Sequence, residues 1–236
     1  MPLINPLNLL IMKKTLNILN LGFNEYSKTL GLQRKLMKLR QKGSIEDLLI
    51  LVEHNHVYTL GRSGKESNLL LDKESLRKKG IEFWEIERGG DITYHGPGQI
   101  VGYPIFDLTN IKKDVHHFLR NIEEVLIRVL KEYGIDGKRI KGKTGVWVRG
   151  EKIASIGVKI SRWITWHGFA MNVNTDLSYF DDIILCGLKD AKPTSMERLL
   201  GKELDMEEVE KKIVNYSVVI FDYSNIKKQK LKDLIS

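Results

Sequence analysis

The sequence predicts an α/β (α+β) fold, a mixed and largely antiparallel sheet flanked by helices. Three observations carry this. Near-continuous apolar runs of strand length occur at 47–54 (DLLILVEH) and 98–108 (GQIVGYPIFDL). Three more strand-length segments, GVWVRG, KIASIGVKI and ITWHGFAMNV, are joined by turns at Arg149-Gly150-Glu151 and Ser161-Arg162-Trp163. Turns that short require antiparallel pairing. Between these two groups, apolar residues from Val115 to Tyr133 recur at three- and four-residue spacing and stop at Gly134, which is a helix with one buried face. A doubly wound parallel sheet would alternate strand and helix more often.

The remaining elements follow in order. Asn17 to Gly22 reads as a short strand, and Glu25 to Gln41 as a helix closed by Gly43. VYTLG (57–61) follows the 47–54 strand after a His54-Asn55-His56 turn, which suggests a hairpin. FWEIE (83–87) alternates weakly. Asp205 with Glu208 resembles a capping box ahead of a helix running through Tyr216. No repeats or Pro/Ser-rich linkers interrupt the chain, so 12–223 is expected to form a single domain. Residues 224–236, with IKKQKLKDLIS, read as a polar, solvated tail. Residues 1–11 read as a leader before Met12: the apolar part is broken by Pro2 and Pro6, and its lysines follow the apolar stretch, the reverse of a secretory signal.

With 236 residues, 42% hydrophobic and 29% charged, the chain can bury a sizeable core without covalent staples. One cysteine excludes an internal disulfide and a multi-cysteine zinc site. No apolar run reaches the ~18–20 residues of a spanning helix. A cytoplasmic protein with no membrane association is expected, and a reducing compartment leaves the lone thiol available for chemistry. The net charge of +8 favours acidic partners, whether nucleic acid, anionic membrane or acidic protein. The basic residues are spread along the chain, which argues against a nucleic-acid module.

Residues 137–144, GKRIKGKT, match G-x-x-x-x-G-K-[ST]. That motif cradles phosphate only between a preceding strand and a following helix. Here a helix precedes and a strand follows, so a basic surface loop is expected. The densest unusual stretch is 88–98, RGGDITYHGPG, where four glycines surround Arg88, Thr93, Tyr94 and His95. Clustered glycine marks a backbone that turns sharply or closely approaches something, as in a structural loop or a binding loop. Scattered histidines show no convincing zinc spacing.

The stretch RGGDITYHGPGQIVGYPIFDL resembles the signature of the lipoyl(octanoyl) transferase family, the octanoyl-acyl-carrier-protein:protein N-octanoyltransferases of lipoate biosynthesis. KIASIGVKISRWITWHGFAMNVNTDLSYFDDIILCGLKD and the later TSM (194–196) agree with it in the same order. The resemblance runs from about Asn17 to about Leu200. It implies the fold shared by the catalytic domains of biotin protein ligase and lipoate–protein ligase. It implies Cys186, in the Cys186-Gly187 pair, as nucleophile and Lys152 as its activating lysine. It implies an acyl and pantetheine pocket lined by Arg88, Gly89, Gly90, Asp91, Ile92, Thr93, Tyr94 and His95, by Ser155, Ile156 and Gly157, and by Gly168, Phe169 and Ala170. Asp91 stands where the family usually has glutamine, and Leu185 where it usually has proline.

The implied reaction moves an octanoyl group from octanoyl-acyl carrier protein to a lysine ε-amine. The acceptors would be lipoyl domains of 2-oxoacid dehydrogenase E2 subunits and the glycine cleavage H protein. A thioester is already activated, so neither ATP nor a metal is expected; the donor itself carries phosphopantetheine. The alternative is an ATP-dependent lipoate or biotin protein ligase of the same fold, which would need no cysteine nucleophile. A lone cysteine is more often a small buried hydrophobe than a nucleophile, and a turn lysine is more often solvated. Both assignments therefore rest on the resemblance. His95 and His167 could each act as a base; His95 is expected to orient substrate and His167 to be a satisfied strand histidine. Lys159, Arg162 and Trp163 form either an exposed basic turn or a contact for the acidic carrier.

Overall fold

The computed structural model describes residues 14–185 and 191–235. Among the described residues eleven strands form two sheets. The larger has eight strands in the order β11-β1-β2-β6-β10-β9-β8-β7, and the smaller has three in the order β4-β3-β5. In the larger sheet, β1 (Thr15–Asn24) runs parallel to both β2 (Leu48–His54) and β11 (Asn225–Lys228). From β2 through β6 (Gln99–Ile105), β10 (Ile164–Asn172), β9 (Glu151–Ser161) and β8 (Lys143–Val148) to β7 (Lys138–Ile140), every pairing is antiparallel. The expected mixed, mainly antiparallel sheet is what forms.

Helices cover both faces. The amphipathic α3 (Val115–Glu132) is capped by Asp114, whose carboxylate accepts the His117 N–H. Its stripe, Phe118, Ile122, Val125 and Val129, packs with Val209 and Ile213 of α5 (Met206–Ile220) against Leu49, Ile100 and Met171 of the sheet. On the other face α1 (Tyr26–Gln41) seats Leu30, Leu36 and Met37 against Ile50, Val101 and Trp166. The predicted cap of α5 is present on one side: Asp205 accepts the N–H groups of Glu207 and Glu208. The helix continues to Ile220, beyond the predicted Tyr216.

Two short turns work as the sequence suggests. The loops between β8 and β9 and between β9 and β10 are two residues long, Arg149-Gly150 and Arg162-Trp163, and all four residues have positive φ. That is the geometry whose twist suits a hairpin.

Three expectations are corrected. β2 and β3 (Val57–Leu60) form no hairpin; the chain crosses at 55–56 into the smaller sheet, where β3 pairs parallel with β4 (Glu82–Glu85) and antiparallel with β5 (Ile92–His95). A third core, including Tyr58, Leu60, Leu76 and Tyr94, draws the strand away from β2. The glycine-rich stretch is not all loop, because Ile92–His95 is β5. The polar tail is folded: β11 adds to the sheet edge, and Leu231, Leu234 and Ile235 of α6 (Leu231–Ile235) pack against the second core. The short helices α2 (Lys73–Lys79) and α4 (Met196–Leu200) complete the set. Among the described residues no helix is long and apolar enough to cross a membrane.

Candidate active site

A cavity of about 340 Å³ opens between β5 with its preceding loop and the middle of the larger sheet. Its volume sits at the lower end of the usual range for small-ligand sites. The Arg88-Gly89-Gly90 turn leans onto β9, where the Gly89 N–H donates to the Val158 carbonyl at 3.0 Å. Gly157 makes that approach possible: a Cβ there would lie 2.6 Å from the Gly89 carbonyl oxygen and 3.1 Å from Arg88 Cδ. Gly90 turns the chain at φ 87°, a region closed to branched residues.

Of the residues the sequence singled out, the cavity wall contains Arg88, Gly90, Asp91, Ile92, Thr93, His95, Lys152, Ser155, Ile156, Gly157, Gly168, Phe169 and Ala170. Gly89 is not among the lining residues; its N–H is turned to Val158 of β9. Cys186 and Gly187 lie outside the described residues.

Tyr94 is the correction here. Successive strand side chains point to opposite faces, so Thr93 and His95 face the cavity while Tyr94 faces the third core. There it stacks on Tyr179 at 4.9 Å, and its hydroxyl meets His56 Nδ1 at 2.7 Å.

Lys152 is 4% exposed, unusual for a lysine. It lies opposite Trp147 across the β8–β9 pair, with Nζ 5.4 Å from the centre of the Trp147 ring. A cation over an aromatic face is attracted by the ring quadrupole. Gly145 leaves room for the lysine stem, since a Cβ there would lie 2.8 Å from Lys152 Cε. Buried Glu123 holds this region from α3, accepting the Gly145 N–H and the guanidinium groups of Arg120 and Arg139. The Lys152 backbone is clamped by the segment after 186–190. Its N–H donates to the Lys192 carbonyl at 2.7 Å, and its carbonyl accepts the Thr194 N–H at 3.0 Å. On the other flank of 186–190, Leu185 is buried in the third core.

Arg88 is also buried, at 8% exposure. Its Nη2 donates to the Thr59 carbonyl at 2.6 Å and to the Thr59 hydroxyl at 2.9 Å. The Asp91 carboxylate accepts Asn68 Nδ2 and its neighbour's N–H at Ile92, both at 2.7 Å, so this charge braces the loop around Asn68.

The family profile described as Lipoyl protein ligase A/B catalytic domain matches residues 25–217. The chain belongs to this family. Relatives named Octanoyltransferase include one from Caldicellulosiruptor saccharolyticus, 49% identical over 93% of this chain and 95% of its own length. Another, from Christiangramia forsetii, is 45% identical over 89% of this chain and 97% of its own. Among solved structures, lipoate-protein ligase A bound with ATP superposes with a TM-score of 0.73 at 15% identity, covering 94% of this chain and 92% of that one. Biotin protein ligase from Aquifex aeolicus gives 0.51 at 14% identity, covering 89% and 70%. At those identities the likeness is one of fold, and it is the fold the sequence implied.

Several family-domain residues in the cavity escaped the sequence reading. Tyr26, Tyr103 and Trp147 reach it from α1, β6 and β8. No local spacing links them to the glycine-rich stretch; only the sheet order does. Gly142, Lys143 and Thr144 also line it. The GKRIKGKT segment is thus the β7–β8 hairpin at the cavity wall, and no helix follows it as a phosphate cradle would require.

The expectation for His167 is corrected as well. It is 2% exposed, lines the cavity with φ 55°, and its Nε2 has no hydrogen-bond partner. Burial first, then the neighbouring Arg88 charge, hold its pKa down at about 3. His95 is likewise lowered to about 3, by burial and then by His54. Both imidazoles are neutral at pH 7, and both are hydrogen-bonding groups rather than cations.

Proposed function

We propose that this protein transfers an octanoyl group from octanoyl-acyl carrier protein to the lysine ε-amine of a lipoyl domain, through a thioester on Cys186. The observation that carries the reading is Lys152. A buried lysine lies in the cavity wall, and its backbone is clamped by the residues that follow the chain's one cysteine by six positions and more. Membership of the family and relatives named Octanoyltransferase support the acyl group and the reaction class. One solved neighbour, a bipartite lipoate protein ligase described with its E2 lipoyl domain, supports lipoyl domains as the acceptor.

In the first step the Cys186 thiolate attacks the thioester carbonyl carbon. The carrier's phosphopantetheine sulfur leaves as thiolate and takes up a proton. In the second, the acceptor amine attacks the Cys186 thioester, loses a proton, and Cys186 leaves as thiolate. Lys152 serves both steps: its charge favours thiolate at Cys186, and it exchanges the proton that each step releases or consumes. The apolar cavity wall at Val101, Ile156, Phe169 and Ala170 takes the alkyl chain. Thioester exchange is nearly isoenergetic and amide formation is downhill, so neither ATP nor a metal enters. A thiol nucleophile suits the reducing cytoplasm.

The test supplies octanoyl-acyl carrier protein and an apo lipoyl domain without nucleotide or magnesium. The expected product is a lipoyl domain heavier by one octanoyl group. An absolute requirement for ATP would assign the chain to ligase chemistry instead.

A further inference from the structure

One chain of buried polar groups runs from the cavity wall at Arg88 and His95 into the protein behind it, and both of its ends fix its direction. At the Arg88 end the guanidinium can only donate, and it does so to Thr59 Oγ1 at 2.9 Å. At the other end the Thr194 carbonyl can only accept, and it takes Asn172 Nδ2 at 3.0 Å. Asn172 therefore turns Oδ1 towards Gln99, whose Nε2 donates to it at 2.8 Å. The same Nε2 donates to the Tyr94 carbonyl at 3.2 Å, which confirms the amide orientation. Gln99 Oε1 is then left facing His95 Nδ1 at 2.8 Å, so Nδ1 carries the imidazole proton. His95 Nε2 is a bare lone pair, 3.5 Å from Thr59 Oγ1, the longest link. Since Thr59 Oγ1 already accepts from Arg88, its own proton is free to point at that lone pair.

Every proton in the chain points the same way, from Arg88 through Thr59, His95, Gln99 and Asn172 to the Thr194 carbonyl. Thr194 then donates its own N–H to the Lys152 carbonyl. Thr59, Gln99, Asn172 and Thr194 are each under 9% exposed, so water does not compete. Asn172 and Gln99 also face each other in the β6–β10 register, which holds the two amides together.

We propose that Thr59, Gln99 and Asn172 are positioning residues, a directed hydrogen-bond chain that couples the Arg88-Gly89-Gly90 wall of the cavity to the backbone clamp on Lys152. Its role in transfer rests on the function proposed above for Lys152. The chain sets the His95 tautomer, so that this residue offers an acceptor and never a donor on its Thr59 side. It also holds residues 192–194 in the register that fixes where the lysine stem starts.

The experiment has a spectroscopic, an exchange and a kinetic arm. Nitrogen-15 spectra of the imidazoles should show His95 of the wild type protonated on Nδ1 at pH 7. Gln99→Met removes the acceptor and should shift His95 towards the Nε2–H form. It should also speed amide exchange at Thr194, although residue 99 makes no contact with that amide. Asn172→Ala, which introduces no charge, should speed exchange at Thr194 and Lys152. It should also lower kcat about 10- to 100-fold, the scale of a displacement near 1 Å, with KM for the octanoyl-carrier nearly constant. Asn174→Ala is the control. It loses the 2.8 and 3.0 Å bonds to Leu204, two residues away and outside the chain, and should reduce stability without moving any of these readouts. An Nε2–H tautomer in the wild type would overturn the proposal. So would Thr194 exchange that ignores Gln99→Met, or a normal kcat in Asn172→Ala. If Asn172→Ala does not fold, the wild-type tautomer and Gln99→Met decide. Normal transfer by Lys152→Met would sink the function assigned to Lys152, while the tautomer and exchange arms would still judge the chain.

Discussion

Gly157→Ala perturbs the cavity wall with a single methyl group. The added Cβ would stand 2.6 Å from the Gly89 carbonyl oxygen, which is backbone and cannot rotate away. Ordinary contact begins near 3.4 Å, so the Arg88-Gly89-Gly90 turn must retreat by about 0.8 Å. That retreat strains the Gly89–Val158 hydrogen bond and presses on Arg88 Cδ. Overpacking of this kind costs about 1–3 kcal/mol. In a chain of this length each kcal/mol lowers Tm by about 2–4 °C. The turn is also a wall of the cavity, so a displacement near 1 Å should slow acyl-enzyme formation by about 10- to 100-fold. Thermal melting and single-turnover acylation of the same preparation read the two effects together. Wild-type acylation combined with a lowered Tm would refute the claim that this turn shapes the substrate site. Wild-type values for both would refute the packing argument itself.

Gly90→Val should impair acylation more than melting, because the residue holds φ 87° at the cavity wall; equal loss of both would point to a purely structural turn. Lys152→Met should raise the pH midpoint of Cys186 alkylation towards the ~8.5 of an ordinary thiol and slow transfer by about 10² or more. Lys159→Met should change neither, and a shift at Lys159 instead would reassign the activating lysine. Acid should destabilise the fold through His54, His95 and His167, whose pKa values burial lowers to about 4, 3 and 3. The unfolded chain binds these protons near pH 6.5 and the folded one does not. Stability is therefore intact above about 6.5 and falls as pH drops through the range down to about 3, by up to about 1.4 kcal/mol per pH unit for each histidine. Denaturant midpoints that stay flat from pH 6.5 to 4.5 would contradict this.

What the sequence made legible was whatever is encoded locally. The stripe of α3 needs only its own spacing, and the turns at Arg149-Gly150 and Arg162-Trp163 are too short to do anything but reverse the chain. The destination of β3 was not local. Val57–Leu60 looks like the return strand of a hairpin until Tyr58, Leu60 and Tyr94 find a third core. The tail misled because Lys227, Lys228 and Lys230 read as solvated, and they are exposed, yet the backbone of Lys227 and Lys228 pairs with β1. At the site, the resemblance implied residues 88–95, Lys152, 155–157 and 168–170, and all of these but Gly89 and Tyr94 line one cavity. It could not say that Tyr94 faces away while His95 faces in, which β5 decides by alternation. Nor could it show Trp147 under Lys152 or the Gln99–Asn172 pair, because those contacts exist only once β6, β8, β9 and β10 are laid side by side.

The covalent step is the centre of this account, and intact mass tests it directly. The protein is mixed with octanoyl-acyl carrier protein in the absence of an acceptor, quenched in acid and weighed. The account predicts a gain of one octanoyl group, mapping to Cys186 and released by hydroxylamine, with no gain in Cys186→Ser and almost no transfer by that variant. Full transfer by Cys186→Ser, or an octanoyl adduct on any other residue, would contradict it.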